Sequence, residues 1–121
     1  MAIYVQFLFV VPAFSVTVSS SNSLQEIMVG DLQEIHCIAE VSFNGVEPNS
    51  VLIEWYGPKE DSITNDSRVT ISPTIVSTNT FNSTLQFSYL MEEDEGRYVC
   101  NVTILRTTES AHSIELTRLD G

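Results

Sequence analysis

The strongest constraint on the fold of this 121-residue sequence is the order of its two cysteines, its single tryptophan and one turn motif. Cys37 comes first and Trp55 follows it, and residues 94–100 then form an Asp-x-Gly-x-Tyr-x-Cys motif that ends at the second cysteine. Within the motif, Asp94 and Gly96 suit a tight turn, because glycine adopts a positive φ at little energetic cost. Each cysteine lies in a strand-like run, at residues 32–39 and 97–103, and the second run directly follows this turn.

Alternation of apolar and polar residues with a period of two dominates the chain, whereas helical periodicity is nearly absent. This pattern predicts an all-β domain. Short turn-like segments separate the predicted strands, and the segment 59–67 leaves little room for additional strands in the middle. The strands are predicted at residues 16–18, 24–28 (resuming the edge), 32–40, 51–56, 68–72 (ended by Pro73), 81–90, through Tyr98 and Cys100, and at about 112–119.

The combination of Cys37, Trp55 and the Asp-x-Gly-x-Tyr-x-Cys motif resembles the immunoglobulin superfamily over roughly residues 16–119. The resemblance implies a two-sheet Greek-key sandwich in which a Cys37–Cys100 disulfide joins the sheets and Trp55 packs on it. It also implies that the Tyr98 hydroxyl turns back to the chain just upstream. The strand order is similar to that of the intermediate set, although the long stretch between Cys37 and Trp55 lengthens one loop.

The resemblance further implies an ion pair at one end of the sandwich. Arg68 opens an Arg-Val-Thr-Ile-Ser run, and an arginine at this place in such domains often pairs with the aspartate of the turn motif. We therefore expect a bidentate contact between Arg68 and Asp94, because the planar guanidinium matches a carboxylate.

Cysteine use and glycosylation triplets favour an oxidising compartment. The two cysteines could be buried thiols, but a bridge would close a loop of roughly 60 residues and add about 4 kcal/mol of stability. Asn-x-Ser/Thr triplets begin at Asn65, Asn82 and Asn101. Strand parity predicts that Asn82 and Asn101 face outward on different sheets. Glycans on both would disfavour docking through either broad face and would leave the tip loops or an edge strand for binding.

The N-terminal residues 2–14 are almost wholly apolar, and Ala13-Phe14-Ser15 is a small-x-small pattern suited to cleavage after Ser15. Two interpretations stay open for residues 1–15: a signal-like segment, or a structured N-terminal extension. The segment is too short to span a bilayer, so any membrane anchor is expected outside this chain. Residues 16–119 are predicted to form the immunoglobulin-like domain, with 120–121 as its C-terminal end.

Charge and motif content argue against several functions. Sixteen acidic residues against five basic ones give a net charge of −11, which disfavours nucleic acid and anionic membrane surfaces. His36 is next to Cys37, but adjacent strand residues point to opposite faces and the expected bridge already uses Cys37. His112 has no metal ligand at suitable spacing, and the acidic run 92–95 suits a solvated turn better than a calcium loop. We therefore expect no catalytic residues, no metal and no cofactor.

The loops at one tip of an immunoglobulin-like sandwich are the expected site of partner binding. Phe43 is the candidate anchor, although it could equally fold inward over the core. The candidate partner-binding residues are Phe43, Asn44, Val46, Glu47, Arg106 and Glu109.

The resemblance implies an extracellular module for cell adhesion or cell-surface recognition, similar to ectodomain modules of invertebrate adhesion molecules. Its expected partner is another protein ectodomain or a second copy of itself. Two alternatives stay open: a spacer or ligand-binding domain in the ectodomain of a receptor tyrosine kinase or phosphatase, and a soluble secreted domain of immune type. The chain would be secreted or would belong to the ectodomain of a single-pass membrane protein.

Overall fold

The structure, a computed structural model, describes residues 16–20, 24–42, 47–104 and 108–118. These ranges contain eight β-strands and two short 3-10 turns, Pro48–Ser50 and Glu92–Asp94. The strands are β1 Val16–Ser20, β2 Leu24–Ile27, β3 Gln33–Val41, β4 Val51–Tyr56, β5 Val69–Ile75, β6 Thr80–Phe87, β7 Gly96–Ile104 and β8 Thr108–Arg118. No helix of the described part is long and apolar enough to cross a membrane.

The strands form two four-stranded sheets, which confirms the predicted all-β sandwich. One sheet has the order β1-β3-β6-β5, and its neighbours are antiparallel. The other has the order β2-β8-β7-β4, in which β2 runs parallel to β8. The chain therefore changes sheet between β1 and β2. Residues 24–27 do resume an edge, but it is the edge of the second sheet.

The core lies between the sheets and follows the strand alternation of the sequence. Ile35, Cys37 and Ala39 of β3 all point inward and are buried. The Cys37–Cys100 disulfide joins β3 of one sheet to β7 of the other, with 6.4 Å between the two Cα atoms. Trp55 lies directly opposite Cys100 in the β4–β7 register, and its indole N–H donates to Ser83 Oγ at 2.9 Å. A buried polar group on each sheet is thereby satisfied.

The prediction that Pro73 ends its strand is wrong, because β5 continues to Ile75. The Ile71 N–H points away from β6 and donates to Asn65 Oδ1 at 2.7 Å. By the alternation of an antiparallel ladder, residue 73 faces the same open edge. A proline there removes no hydrogen bond to β6, and such edge positions are where sheets tolerate proline.

Two other strand limits also differ from the prediction. Strand β6 ends at Phe87 rather than at residue 90. The Leu90 N–H donates instead to the Asp31 carbonyl oxygen, and the Leu90 carbonyl oxygen accepts the Gly30 N–H. Tyr89 lies beyond the end of β6 and is 51% exposed. Strand β8 begins at Thr108 rather than near residue 112, because its pairing with β7 continues up to Ile104.

Removal of the disulfide should destabilise the domain strongly. Cys37→Ala opens a loop with a sequence separation of 63 residues, and we expect a loss of about 4 kcal/mol in the free energy of unfolding. Glu93→Ala, a change at an exposed turn residue, is the control and should alter stability by less than about 0.5 kcal/mol. Urea denaturation of both variants measures this. An unchanged midpoint for Cys37→Ala would contradict the structural role of the bridge.

Candidate functional site

The turn motif is held at one end of the sandwich by a largely buried ion pair. Arg68 Nη1 donates to Asp94 Oδ2 at 2.6 Å, and Nη2 donates to Oδ1 at 3.1 Å. The Met91 N–H also donates to Asp94 Oδ2, at 2.7 Å. Both carboxylate oxygens therefore have partners, as a buried charge requires.

The Arg68 side chain is held on its other sides as well. Its Nη1 donates to the Tyr89 carbonyl oxygen at 3.0 Å, and its guanidinium carbon lies 5.8 Å from the Phe87 ring centroid and 5.6 Å from the Tyr89 ring centroid. The hydrogen bonds with Asp94 raise the pKa of Arg68 above its ordinary value. Because its donors and its charge are engaged within the domain, Arg68 acts on structure rather than on a ligand.

Tyr98 completes this end of the molecule. Its buried hydroxyl donates to the Asp94 carbonyl oxygen at 2.8 Å, and its ring packs edge-on against Phe87 at 5.7 Å. Burial, reinforced by the negative charge of Asp94, raises the pKa of Tyr98 well above its ordinary value. Gly96 has φ of +139°, and a Cβ atom there would lie 2.7 Å from Pro58 Cβ, so that only glycine fits.

The three glycosylation triplets lie at different places on the surface. Asn82 is on the outward side of β6, between Ile38 of β3 and Thr74 of β5. Asn101 is on the outward side of β7, opposite Glu54 of β4. Asn65 lies in the exposed segment before β5. The two strand-borne asparagines thus mark the outer faces of the two sheets.

The predicted tip residues fall mostly outside the described part of the chain, where Phe43, Asn44, Val46 and Arg106 all lie. Glu47 is described and exposed, and its carbonyl oxygen accepts the Ser50 N–H at 2.9 Å. Glu109, expected in a loop, lies instead in β8 opposite Thr103 of β7, because the hairpin pairing extends further than predicted.

The two histidines each have a hydrogen-bonding partner. His36 Nδ1 lies 2.9 Å from Thr84 Oγ1, and His112 Nε2 lies 3.0 Å from Ser20 Oγ. Within the described residues, no three His, Cys, Asp or Glu side chains come together as a metal site would need.

An open groove lies where the free edges of the two sheets meet. Strand β4 ends the order of one sheet and β5 ends the order of the other. The groove between them has a volume of about 500 Å³. Its lining is predominantly aliphatic and includes Val51, Ile53, Ile71, Pro73, Ile75 and Phe81.

Large hydrophobic side chains remain in solvent beside this groove. Leu52 is 53% exposed, Ile75 is 61% exposed and Val76 is 59% exposed. The two segments that form this edge, residues 48–53 and 69–80, contain no charged residue in a chain whose net charge is −11. We call β4, β5 and this groove the open edge.

The backbone of β4 is only partly covered at the open edge. The Trp55 carbonyl oxygen accepts the Ile63 N–H at 2.9 Å, and the Gly57 N–H donates to the Asp61 carbonyl oxygen at 3.0 Å. By alternation, Val51 and Ile53 direct their N–H and C=O groups to the same side. Beyond the 61–63 segment, no strand of the described chain pairs with β4 on that side.

Sequence reasoning did not identify the open edge, although one signal was present. Val51-Leu52-Ile53 is an unbroken apolar run in which Leu52 has outward parity, and an outward apolar residue needs a reason. The approach of β4 to β5 could not be read from the sequence, because it depends on which strands are outermost in each sheet.

Comparison with known proteins places the fold among immunoglobulin-like sandwiches. No protein-family model matches the sequence, and no curated protein matches it. The structure is similar to a chain in the crystal structure of Dpr2 Ig1-Ig2 in complex with DIP-Theta Ig1-Ig3, with a TM-score of 0.73 at 14% sequence identity. The match covers 86% of this chain and 32% of that chain, so this chain corresponds to about a third of its length. The expected immunoglobulin-like fold is thereby confirmed.

The raised pKa of Tyr98 predicts a specific alkaline loss of stability. In the unfolded chain tyrosine ionises near pH 10, whereas the folded domain keeps Tyr98 protonated to higher pH. Its contribution is complete below about pH 10 and is lost as the pH rises further. Tyr98→Phe removes one hydrogen bond and should cost about 1 kcal/mol at pH 8. At pH 11 the difference in free energy of unfolding between wild type and variant should be about 1 kcal/mol smaller than at pH 8.

Urea denaturation at a series of pH values measures this convergence. Tyr89→Phe is the control for loss of a tyrosine hydroxyl, because Tyr89 is half exposed. A stability gap between wild type and Tyr98→Phe that stayed constant up to pH 11 would contradict the prediction.

Proposed function

We propose that this chain is an extracellular immunoglobulin-like module for cell adhesion or cell-surface recognition, and that it binds another protein ectodomain through the open edge. The observation that carries the proposal is the charge-free apolar groove between β4 and β5, flanked by the exposed side chains of Leu52, Ile75 and Val76. Contiguous exposed apolar surface with a polar rim is typical of protein-binding sites.

The energetics of the open edge suit a protein partner. Full burial of a Leu, Ile or Val side chain contributes about 1.5–3 kcal/mol, and roughly half of each of these three side chains is still exposed. Covering them would therefore contribute a few kcal/mol, to which the free backbone groups of Val51 and Ile53 add hydrogen bonds. Because association itself costs several kcal/mol of translational and rotational freedom, this gain suits a weak interface to which the partner also contributes apolar surface.

An extracellular location is supported by the covalent chemistry of the chain. The Cys37–Cys100 disulfide is fully buried and joins the two sheets, and stable disulfides of this kind belong to oxidising compartments. The similar chain described above was crystallised in a complex of Dpr2 Ig1-Ig2 with DIP-Theta Ig1-Ig3. By analogy, recognition of another ectodomain is the function we favour for this module.

The positions of Asn82 and Asn101 support use of an edge rather than a face. If both asparagines carry glycans, each broad face of the sandwich holds a bulky hydrated group near its centre. The side chains of Leu52 and Ile75 belong to the outermost strands, β4 and β5. An approach along the open edge then avoids the centres of both faces, and the glycan nearest to it would be the one on Asn82, which lines the groove.

As part of the same proposal, the chain acts by binding and not by catalysis. A spacer role, or a soluble secreted role of immune type, is the competing interpretation. If the chain were only a spacer, substitutions at the open edge would leave every binding measurement unchanged.

The glycosylation argument is directly testable by mass spectrometry. When the chain is produced in a eukaryotic secretory host, Asn82 and Asn101 should carry N-linked glycans, because both are partly exposed and outward-facing. Thr84→Ala and Thr103→Ala remove the respective acceptor triplets without altering the asparagines. Each variant should lose one glycan in peptide mapping. Unmodified Asn82 and Asn101 in the secreted wild type would remove the shielding argument.

The binding proposal predicts opposite results for two matched leucine variants. Leu52 and Leu24 are exposed to 53% and 61%, and they lie on β4 and β2, the opposite ends of one sheet. A multivalent form of the secreted chain, presented to a panel of secreted ectodomains that includes the chain itself, should bind at least one member. Leu52→Glu should weaken that binding roughly tenfold or more, whereas Leu24→Glu should leave it unchanged. Binding to none of the panel, or equal binding by both variants, would contradict the proposal.

A further inference from the structure

We propose that the occupant of the open edge is a second copy of this chain, which pairs its β4 antiparallel to the first β4 about a two-fold axis at Leu52. This inference rests on the proposed binding function and identifies its partner. It is carried by three features of the described residues: unequal protection of the two edge strands, self-complementarity of β4, and the absence of charged residues from the segments 48–53 and 69–80.

In the part of the chain that the structure describes, β5 is protected against strand addition, whereas part of β4 is left unpaired. On β5, the Val69 N–H is taken by Asp66 Oδ1 at 2.8 Å and the Ile71 N–H by Asn65 Oδ1 at 2.7 Å, and Pro73 has no N–H. The hydrogen bonds from the backbone N–H groups of Arg68 and Val69 hold the pKa of Asp66 below its ordinary value, which keeps the carboxylate ionised as an acceptor. Proline and side chains that occupy backbone groups are ordinary means of preventing edge-to-edge pairing.

Within the described residues, the corresponding positions on β4 have no such protection. Val51 and Ile53 direct N–H and C=O groups outward, and the protecting segment reaches only Trp55 and Gly57. The 3-10 turn Pro48–Ser50 ends the strand on the other side. Within the described residues, the part of β4 with unpaired outward backbone groups is therefore Val51–Ile53. The 3-10 turn limits it on one side and the hydrogen bond of Trp55 limits it on the other.

This stretch is complementary to itself. Around a two-fold axis at Leu52, Val51 of one copy faces Ile53 of the other, and each pair exchanges hydrogen bonds in both directions. Leu52 then faces Leu52 of the second copy, and Glu54 faces Ser50 rather than another carboxylate. The inward side chains of the added strand would extend over the groove lined by Ile71, Pro73 and Ile75.

Charge selects this edge for self-association. Two copies that each carry a net charge of −11 repel one another, so that they can approach closely only where their surfaces lack charge. Residues 48–53 and 69–80 provide such a surface. A partner recruited by charge would bind more weakly as salt is added, whereas self-association should strengthen because salt screens the repulsion. The short strand pairing implies a weak interface, suited to many copies on opposing surfaces.

Sedimentation velocity of the secreted full chain over a wide concentration series tests the association. We expect a reversible monomer–dimer equilibrium that strengthens with ionic strength. Leu52→Glu places two carboxylates opposite each other and should weaken the dimer roughly tenfold or more, whereas Leu24→Glu should behave as wild type. A monomer at every concentration, a dimer that salt weakens, or a dimer indifferent to Leu52→Glu would overturn the inference.

Cysteine cross-linking tests the register. In the proposed pairing Leu52 is a non-hydrogen-bonded pair with itself, with Cα atoms about 4.5 Å apart, which is within disulfide range. Leu52→Cys should therefore form a covalent dimer under mild oxidation, as seen by non-reducing electrophoresis. Glu54→Cys should not, because the two positions would lie four residues apart, roughly 13 Å. Equal cross-linking of both variants, or none with Leu52→Cys, would refute this register.

The two proposals fail in different ways. A monomeric chain whose binding to another ectodomain is lost in Leu52→Glu would overturn self-pairing and leave the binding function intact. A chain that binds neither itself nor any other ectodomain through Leu52 would overturn both.

Discussion

The disulfide between Cys37 and Cys100 is the interaction on which the rest of the structure depends. It joins β3 and β7, an inner strand of each sheet, and lies opposite Trp55 in the β4 register. The bridge and the surrounding apolar side chains fix how the two sheets face each other. Because the sheets are joined at their inner strands, their outermost strands remain available for other contacts.

A second fixed point lies at one end of the sandwich, where Arg68, Asp94 and Tyr98 form a connected polar network. Each buried polar group in it has a partner, which makes the network stabilising, whereas one missing member would leave a buried charge or carbonyl without compensation. The network uses up the functional groups that a ligand might otherwise contact. This explains why the most recognisable motif of the chain is structural, and why the candidate site lies elsewhere.

The open edge shows a difference between two strands that are otherwise alike. Strand β5 is protected by Pro73 and by side chains of the segment that precedes it. Within the described residues, β4 is protected only at its C-terminal end, next to Trp55 and Gly57. Exposed strand edges carry a risk of unwanted pairing, so that such an asymmetry needs a reason. The proposed binding function supplies one, since the unprotected stretch coincides with exposed apolar side chains and lacks charge.

The sequence by itself determined the all-β class, because a period of two is a local pattern that each strand shows on its own. The two-sheet sandwich came from the resemblance carried by Cys37, Trp55 and the turn motif. Strand parity also placed Asn82 and Asn101 correctly on the outward sides of β6 and β7. Sequence reasoning misjudged Pro73 and the end of β6, because these depend on which side of a strand has a neighbour. Only the tertiary structure decided which strands are outermost and that β4 and β5 border one groove, since strand order arises from contacts between residues far apart in the chain.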